Sequence, residues 1–304
     1  MPELPEVETI ALQLNEVLKG KIVRSVKVYR EKNFLGNKEV LIGSEVLKIS
    51  RRAKTIIFDF ENFDEKLIVH LKMTGQLIFL EKIKKTQKLK TDKTQDFEKR
   101  IVGGHPTADW VNELPSKHTR VEIGFEDDSK LFFNDMRAFG WMKIISRTQE
   151  TLPAGRQVKV SRTQVPDVVD EEFSLDYFEG VLKKIKRPIK IVLLDQQLMG
   201  GLGNIYVNDA LNMAKILPTR RADDLKSGEI KDLRDAIKFV IDLGIKSGGA
   251  SAANYVDTKG LGGTYQNFFL TYKQDGKPCK NCGEKIVKIK LGGRGTFYCP
   301  GCQV

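Results

Sequence analysis

Four cysteines confined to the last 26 residues constrain this chain more than any other feature. Cys279-Lys280-Asn281-Cys282 and Cys299-Pro300-Gly301-Cys302 form a C-x2-C, x16, C-x2-C array. Each C-x-x-C turn can present two thiolates to one ion, and the spacer is long enough for a β-hairpin that brings the two pairs together. Four thiolates at tetrahedral geometry suit a structural Zn²⁺ with no open catalytic position. An iron–sulfur centre or two redox pairs are the alternatives that spacing leaves open. Cysteines gathered at one end do not make a disulfide framework, and they point to a reducing compartment. Within the hairpin, Gly292-Gly293-Arg294-Gly295-Thr296-Phe297 falls at the tip, where Arg294 either reaches an anion or is an exposed turn arginine.

The rest of the 304 residues must build its own cores, and the length allows two domains. Val7, Ile10, Ala11, Leu14, Val17 and Leu18 follow a helical period, and Gly20 is placed to end that helix. Short β-like runs follow at 22–29, 40–49, 55–60, 67–71, 76–80, 121–125, 130–133 and 141–145, with Gly- and Asp-rich turns, which predicts an antiparallel sandwich ending near residue 147. Two stretches break the pattern. Residues 81–117 are charge-rich, with Lys84-Lys85 and Lys88-Leu89-Lys90, and read as a solvated loop; residues 148–167 read as an exposed linker. Helices are predicted over 173–185, 189–199 with Pro188 in the first turn, 205–215 and 229–244.

Charge narrows the partner. The formal net charge is +11 with a pI near 9.3, which favours a polyanion such as nucleic acid. No apolar run approaches the roughly 18–20 residues of a membrane span, and the acidic start lacks the pattern of a secretory signal.

Several constellations could carry chemistry. Met1-Pro2 favours removal of the initiator, leaving Pro2 as a terminal secondary amine. An α-amino group titrates near about 7.7–8.0, so much of it is a neutral nucleophile at physiological pH. Glu3 lies beside it and Glu6 one turn on, as groups able to transfer protons or balance charge. The same residues also read as a plain helix start, with prolines at the beginning and acids in the first turn. Gly200-Gly201-Leu202-Gly203-Asn204 is a glycine turn before a helix, suited to a phosphate held by backbone N–H groups and Asn204. Lys183, Lys184, Lys186, Arg187 and Lys190 upstream either reinforce that site or form a solvated face. Arg51-Arg52-Ala53-Lys54 precedes a strand, so Lys54 can point into a cleft. His70 and Met73 sit in a turn, and Arg137 and Phe139 lie two residues apart between strands; each has a structural reading as well.

Taken together, the set resembles the formamidopyrimidine-DNA glycosylase family over nearly the whole chain. The resemblance rests on Pro2-Glu3-Leu4-Pro5-Glu6-Val7-Glu8, Arg51-Arg52-Ala53-Lys54, His70-Leu71-x-Met73-x-Gly75, Asp135-x-Arg137-x-Phe139-Gly140, Gly201-x-Gly203-Asn204-Ile205-Tyr206 and Gly293-Arg294-x-Thr296-Phe297-Tyr298-Cys299. It implies an α+β protein of two domains: an N-terminal antiparallel β-sandwich with a flanking helix, and a C-terminal helical domain with a helix–two-turn–helix and a zinc hairpin. The expected divisions are a catalytic domain over 2–147, a linker over 148–167, a helical DNA-binding domain over 168–268 and the zinc finger over 269–304.

The implied activity is bifunctional: release of oxidised purines such as 8-oxoguanine and formamidopyrimidines from DNA, then strand cleavage at the abasic site by β,δ-elimination. By resemblance Pro2 is the nucleophile at C1′, Glu3 the general acid, with Glu6 in support. Lys54 is the proton donor for β-elimination and Arg294 for δ-elimination. His70, His118, Arg137, Lys186 and Asn204 contact DNA, while Met73, Arg137 and Phe139 fill the void left by the flipped base. Cys279, Cys282, Cys299 and Cys302 hold one zinc ion. The expected partner is damaged double-stranded DNA, bound by a monomer located in a bacterial cytoplasm with the nucleoid.

Departures from the family pattern are Asp209 where glutamate is usual, the long 81–117 stretch, the unusual 148–167 connection, and extra glycines in 256–269, the loop that covers the flipped base. Two rival readings remain: the same chemistry directed at oxidised pyrimidines, and a zinc-dependent DNA-binding protein that does not cut.

Overall fold

The computed structural model describes residues 2–61, 65–83, 97–105, 107–110, 112–146, 165–250 and 262–304. The first helix, α1, runs Leu4–Leu18. It begins three residues before the apolar period does, because Glu3 is extended and forms a capping box with Glu6, whose Oε2 accepts the Glu3 N–H at 2.8 Å. Gly20, at φ +84°, takes the left-handed conformation that turns the chain away.

Ten strands follow: β1 (Val23–Val28), β2 (Phe34–Leu35), β3 (Val46–Arg52), β4 (Thr55–Phe60), β5 (Glu65–His70), β6 (Gly75–Ile83), β7 (Phe97–Gly104), β8 (Thr119–Phe125), β9 (Lys130–Asp135) and β10 (Trp141–Ser146). They form two five-stranded sheets, ordered β1-β8-β9-β6-β7 and β2-β10-β5-β4-β3. Their inner faces enclose Phe58, Leu67, Val69, Leu77, Phe79, Phe125, Leu131 and Phe133, and α1 closes the core with Val7, Ile10, Ala11, Leu14 and Leu18. This is the expected sandwich.

The differences have local causes. The run predicted as a strand over 40–49 is a 3-10 turn over Lys38–Leu41, capped by the Asn37 side chain on the Glu39 N–H, and the strand starts only at Val46. The stretch read as a solvated loop over 81–117 contains β7, paired antiparallel to β6 from Gln76↔Gly104 to Ile83↔Phe97. The two lysine clusters in 84–90 lie outside the described residues.

The second core is helical: α2 (Leu175–Leu182), α3 (Ile189–Leu193), α4 (Asn204–Met213) and α5 (Ser227–Lys246). The helix predicted over 189–199 stops at Leu193, because a series of turns around Asp195 leads the chain into Gly200. Pro188 caps α3 rather than lying in its first turn. Val165–Asp167, read as part of an exposed linker, are packed: Asp167 is buried, bridges to Gly200 and accepts the Ala53 N–H at 2.7 Å. Residues 147–164 are outside the described set.

Two features join the halves. Leu4 belongs to the helical core whereas Val7, three residues on, belongs to the sandwich core, so the start of α1 lies at the seam. At the other end, β11 (Val287–Leu291) and β12 (Arg294–Tyr298) form the hairpin. A run of rings ties it to the helices: Tyr206–Tyr265 at 4.7 Å, Tyr265–Phe269 at 5.7 Å, Phe269–Tyr272 at 5.3 Å and Tyr272–Phe297 at 5.4 Å. No described helix is long and apolar enough to cross a membrane.

Candidate active site at the seam

Because α1 starts where the two cores meet, its first residues are buried between them. Pro2 and Glu3 are both buried. The Glu3 carboxylate does what a phosphate was expected to do: its Oε1 accepts the Ile205 N–H at 3.0 Å, and its Oε2 the Tyr206 N–H at 3.5 Å, at the N-terminus of α4. The backbone donors of the glycine turn thus serve a side chain of the protein itself. The turn is shaped for this approach. The Gly201 carbonyl accepts the Leu4 N–H at 3.2 Å, and a Cβ on Gly203 would lie 2.1 Å from the Glu3 Cδ.

Burial dominates the electrostatics. It lifts the Glu3 carboxyl to about 7, against the opposing pull of Lys54 and the two N–H groups and with a further push from Glu6. Burial also lowers the Lys54 ammonium to about 8, Glu3 acting against the shift and Arg294 with it. Lys54 comes from the turn between β3 and β4, where Ala53 is left-handed at φ +49°, and its Nζ donates to the Leu202 carbonyl at 2.5 Å. Burial thus brings a carboxyl and an amine that act on one another towards neutral pH, the condition for proton transfer in either direction.

Glu6 ties the site together from behind. Its Oε1 accepts the Tyr206 hydroxyl at 2.8 Å and the Ala250 N–H at 2.7 Å. Arg51 adds a bond across the seam, pairing Glu8 at 2.6 Å on one side and Asp167 on the other.

A second group lies on the turns at the ends of β5, β6, β9 and β10. Met73 and Phe139 are 44% and 57% exposed, and the Arg137 guanidinium sits 5.0 Å above the Phe139 ring. Thr74 joins the turns, bonding the Asp135 carboxylate and accepting the Arg137 N–H at 3.1 Å. His70 is kept neutral, lowered to about 3 by burial first and by Lys72 and Lys54 after it; its Nδ1 accepts the Lys72 N–H at 3.0 Å. His118 is partly exposed and paired with Asp109.

The remaining expected residues divide. Lys186 and Arg294 are exposed. Asn204 donates to the Gly295 carbonyl at 3.0 Å, and among the described residues its buried Oδ1 has no hydrogen-bond partner. Lys190 is not on a solvated face: it is fully buried and donates to Asn208 Oδ1, the Gly295 carbonyl and Thr296 Oγ1 at 3.1, 2.9 and 2.8 Å. Asp209, the departure from glutamate, is buried and accepts the N–H groups of Leu270, Thr271 and Tyr272, anchoring the chain that leads to the hairpin. Its burial was signalled only by its place on the apolar face of a helix. The loop expected to cover a flipped base, 256–269, is described only from residue 262.

The four cysteine sulfurs lie within 4.8 Å of one another. Cys279 Sγ to Cys302 Sγ is 3.8 Å and Cys282 Sγ to Cys299 Sγ is 3.4 Å, against about 3.8 Å between sulfurs of a tetrahedron with Zn–S bonds of about 2.3 Å. The set fits one structural zinc ion. Removal of that ion by a chelator is expected to unfold the hairpin and, because the Gly295 carbonyl anchors Lys190 and Asn204, to lower the melting temperature of the helical core. Metal analysis with a thermal melt reads this, and an unchanged melt of the metal-free protein would contradict it.

Three family models match successive parts of the chain. The formamidopyrimidine-DNA glycosylase N-terminal domain matches residues 1–142, the formamidopyrimidine-DNA glycosylase H2TH domain residues 165–255, and the zinc finger found in FPG and IleRS residues 276–304. A formamidopyrimidine-DNA glycosylase of an Exiguobacterium species is 36% identical over the whole of this chain and 99% of its own. A Lactococcus lactis Fpg variant in complex with Fapy-dG containing DNA is 33% identical with a TM-score of 0.79, covering 99% of both chains. The wild-type Lactococcus lactis Fpg with an oxidised pyrimidine containing DNA is also 33% identical, with a TM-score of 0.77 and the same coverage.

Proposed function

Since the chain belongs to the formamidopyrimidine-DNA glycosylase family, DNA repair enzymes with a zinc finger, we propose that it excises oxidised purines through its N-terminal proline and then cleaves the strand. One observation carries the proposal: Glu3, next to Pro2 in the chain, and Lys54 are both buried where the two cores meet, and burial pushes the carboxyl up to about 7 and the ammonium down to about 8.

The Pro2 nitrogen attacks C1′ of the damaged nucleotide, and the bond from C1′ to the base breaks, the base leaving with a proton. Glu3, protonated below about pH 7, supplies the proton that opens the sugar. A secondary amine cannot give a neutral imine, so the adduct is an iminium cation. Its electron demand acidifies the C2′ proton, and loss of that proton expels the 3′ phosphate in β-elimination; a second elimination expels the 5′ phosphate. Lys54 serves the first elimination and Arg294 the second. His70, His118, Arg137, Lys186 and Asn204 are assigned to DNA contact, with Met73, Arg137 and Phe139 filling the stack once the base is out. The exposure of Met73 and Phe139 supports this, since an apolar wedge must face solvent when DNA is absent. The partner is damaged duplex DNA, bound by a monomer in the bacterial cytoplasm.

Borohydride trapping tests the reading on duplexes carrying 8-oxoguanine or an oxidised pyrimidine. A covalent adduct mapped to Pro2, formed faster on the 8-oxoguanine duplex, is expected. Tight binding with neither adduct nor nicking would leave a DNA-binding protein that does not cut. The oxidised-pyrimidine complex of the Lactococcus lactis relative favours one second reading, a wider lesion range, and comparable trapping on both duplexes would establish it.

A further inference from the structure

We propose that Asp109 is a positioning residue that makes His118 bind a DNA phosphate as an imidazolium cation. The proposal rests on the reading of His118 as a DNA contact. Asp109 comes from the 81–117 stretch that exceeds the family pattern, and it is buried in a 3-10 turn over Ala108–Trp110.

The turn is held from several directions. Its Asp109 N–H donates to Thr107 Oγ1 at 3.2 Å, the Asn112 N–H to the Ala108 carbonyl at 3.0 Å, and the Gln76 amide to Thr107 Oγ1 at 3.0 Å. Asp109 Oδ2 receives the Asn134 Nδ2 at 3.0 Å and lies 3.0 Å from His118 Nδ1. The histidine backbone is equally fixed, its N–H on Ser116 Oγ at 3.1 Å and its carbonyl taking the Asp135 N–H at 2.9 Å. Asp135 opens the turn that carries Arg137 and Phe139, so this pair is built into the same end of the sandwich as the void-filling group.

A carboxylate only accepts hydrogen bonds, so the proton between the two groups belongs to His118 Nδ1. A neutral ring would then present the lone pair of Nε2 to the outside, and a lone pair repels a phosphate oxygen. Only the imidazolium offers Nε2–H while Nδ1–H stays on Asp109. Asp109 Oδ2 holds the Nδ1–H, so a phosphate oxygen can meet an Nε2–H only on the doubly protonated ring. Without that carboxylate the neutral ring can carry its proton on Nε2 and meet the phosphate as an uncharged donor. The contact is thus ionic because of Asp109.

The test is a titration of the zinc-loaded enzyme against a duplex with a tetrahydrofuran abasic-site analogue, over a series of KCl concentrations. Asp109→Asn is expected to weaken binding about tenfold, as loss of a charge-assisted hydrogen bond does. It should also flatten the slope of log K against log[salt] by about 0.9, one phosphate charge. His118→Gln should do the same, and the double variant no more than either single. Asp109→Glu, which keeps a carboxylate within reach, should recover the slope. An unchanged slope in Asp109→Asn, or full additivity with His118→Gln, would make Asp109 a structural prop and overturn the proposal. Wild-type affinity in His118→Gln would remove the DNA contact itself, and the proposal with it. Loss of binding in His118→Gln alone would keep the contact and discard the coupling.

Discussion

A chain that retains Met1, or whose Pro2 amine is acetylated, is expected to release no base above background and to form no borohydride-trapped adduct. The expectation follows from the bond it makes rather than from the space it fills. An amide nitrogen has lost its nucleophilic lone pair to resonance, and the neighbouring described groups are engaged elsewhere: Lys54 donates to the Leu202 carbonyl and Glu3 accepts from α4. Enzymatic rate enhancements of about 10⁶-fold or more are at stake when the only nucleophile is removed. Extra atoms at a buried terminus also crowd the site, so a control separates the two effects. Pro2→Gly keeps a free α-amine in a smaller residue and should still be trapped, through an imine rather than an iminium precursor. Pro2 precedes Glu3, the N-cap of α1, so this change spares the helix. Intact mass measurement of the terminus alongside single-turnover excision reads the result. Activity in the blocked chain would transfer the chemistry to an activated water and end the Pro2 assignment.

How far the sequence reveals this arrangement depends on whether the cause is local. The cysteine array is legible because metal geometry fixes spacing, and the sulfurs lie where a hairpin of that length puts them. Strands such as Thr55–Phe60 and helix α5 show their period directly, since each buries one face. Strand β7 does not show: it begins Phe97-Glu98-Lys99-Arg100, and charge at a sheet edge, which guards against unwanted pairing, looks the same in sequence as a solvated loop. Lys190 and Asp209 were hidden for a different reason. A buried charge is tolerable only when distant partners satisfy it, and Gly295 and Thr271 are more than 60 residues away. Of the two readings of the opening residues, the helix start is visible: Glu3 caps α1, and its carboxylate also anchors α4.

That double role sets the expected behaviour of Glu3→Gln. Base release should fall by about 10²–10⁴-fold, the usual worth of a placed general acid, while nicking of a duplex with a preformed abasic site falls much less, since Pro2 and Lys54 remain. The variant should nevertheless be more stable than the wild type in alkaline solution. Burial raises the folded Glu3 carboxyl from 4.5 to about 7, so between those pH values the native state holds a proton that the unfolded chain has released. Stability therefore declines as pH rises through that window, and above it the native state bears the full cost of an ionised buried carboxylate. A shift of this size corresponds to roughly 3 kcal/mol, already net of the attraction of Lys54. Glutamine keeps an oxygen for the Ile205 N–H and carries no charge, so that cost disappears. The same exchange removes the attraction that holds the Lys54 ammonium up, and its titration should move further below about 8. Melting temperatures of the two proteins should thus coincide near pH 4 and separate above pH 7 with the variant higher. The excision rate of the wild type should fall as Glu3 ionises near pH 7, a limb absent from the residual activity of the variant. Equal melting curves across the range would mean that the Glu3 carboxyl titrates normally, and the general-acid role at neutral pH would go with it.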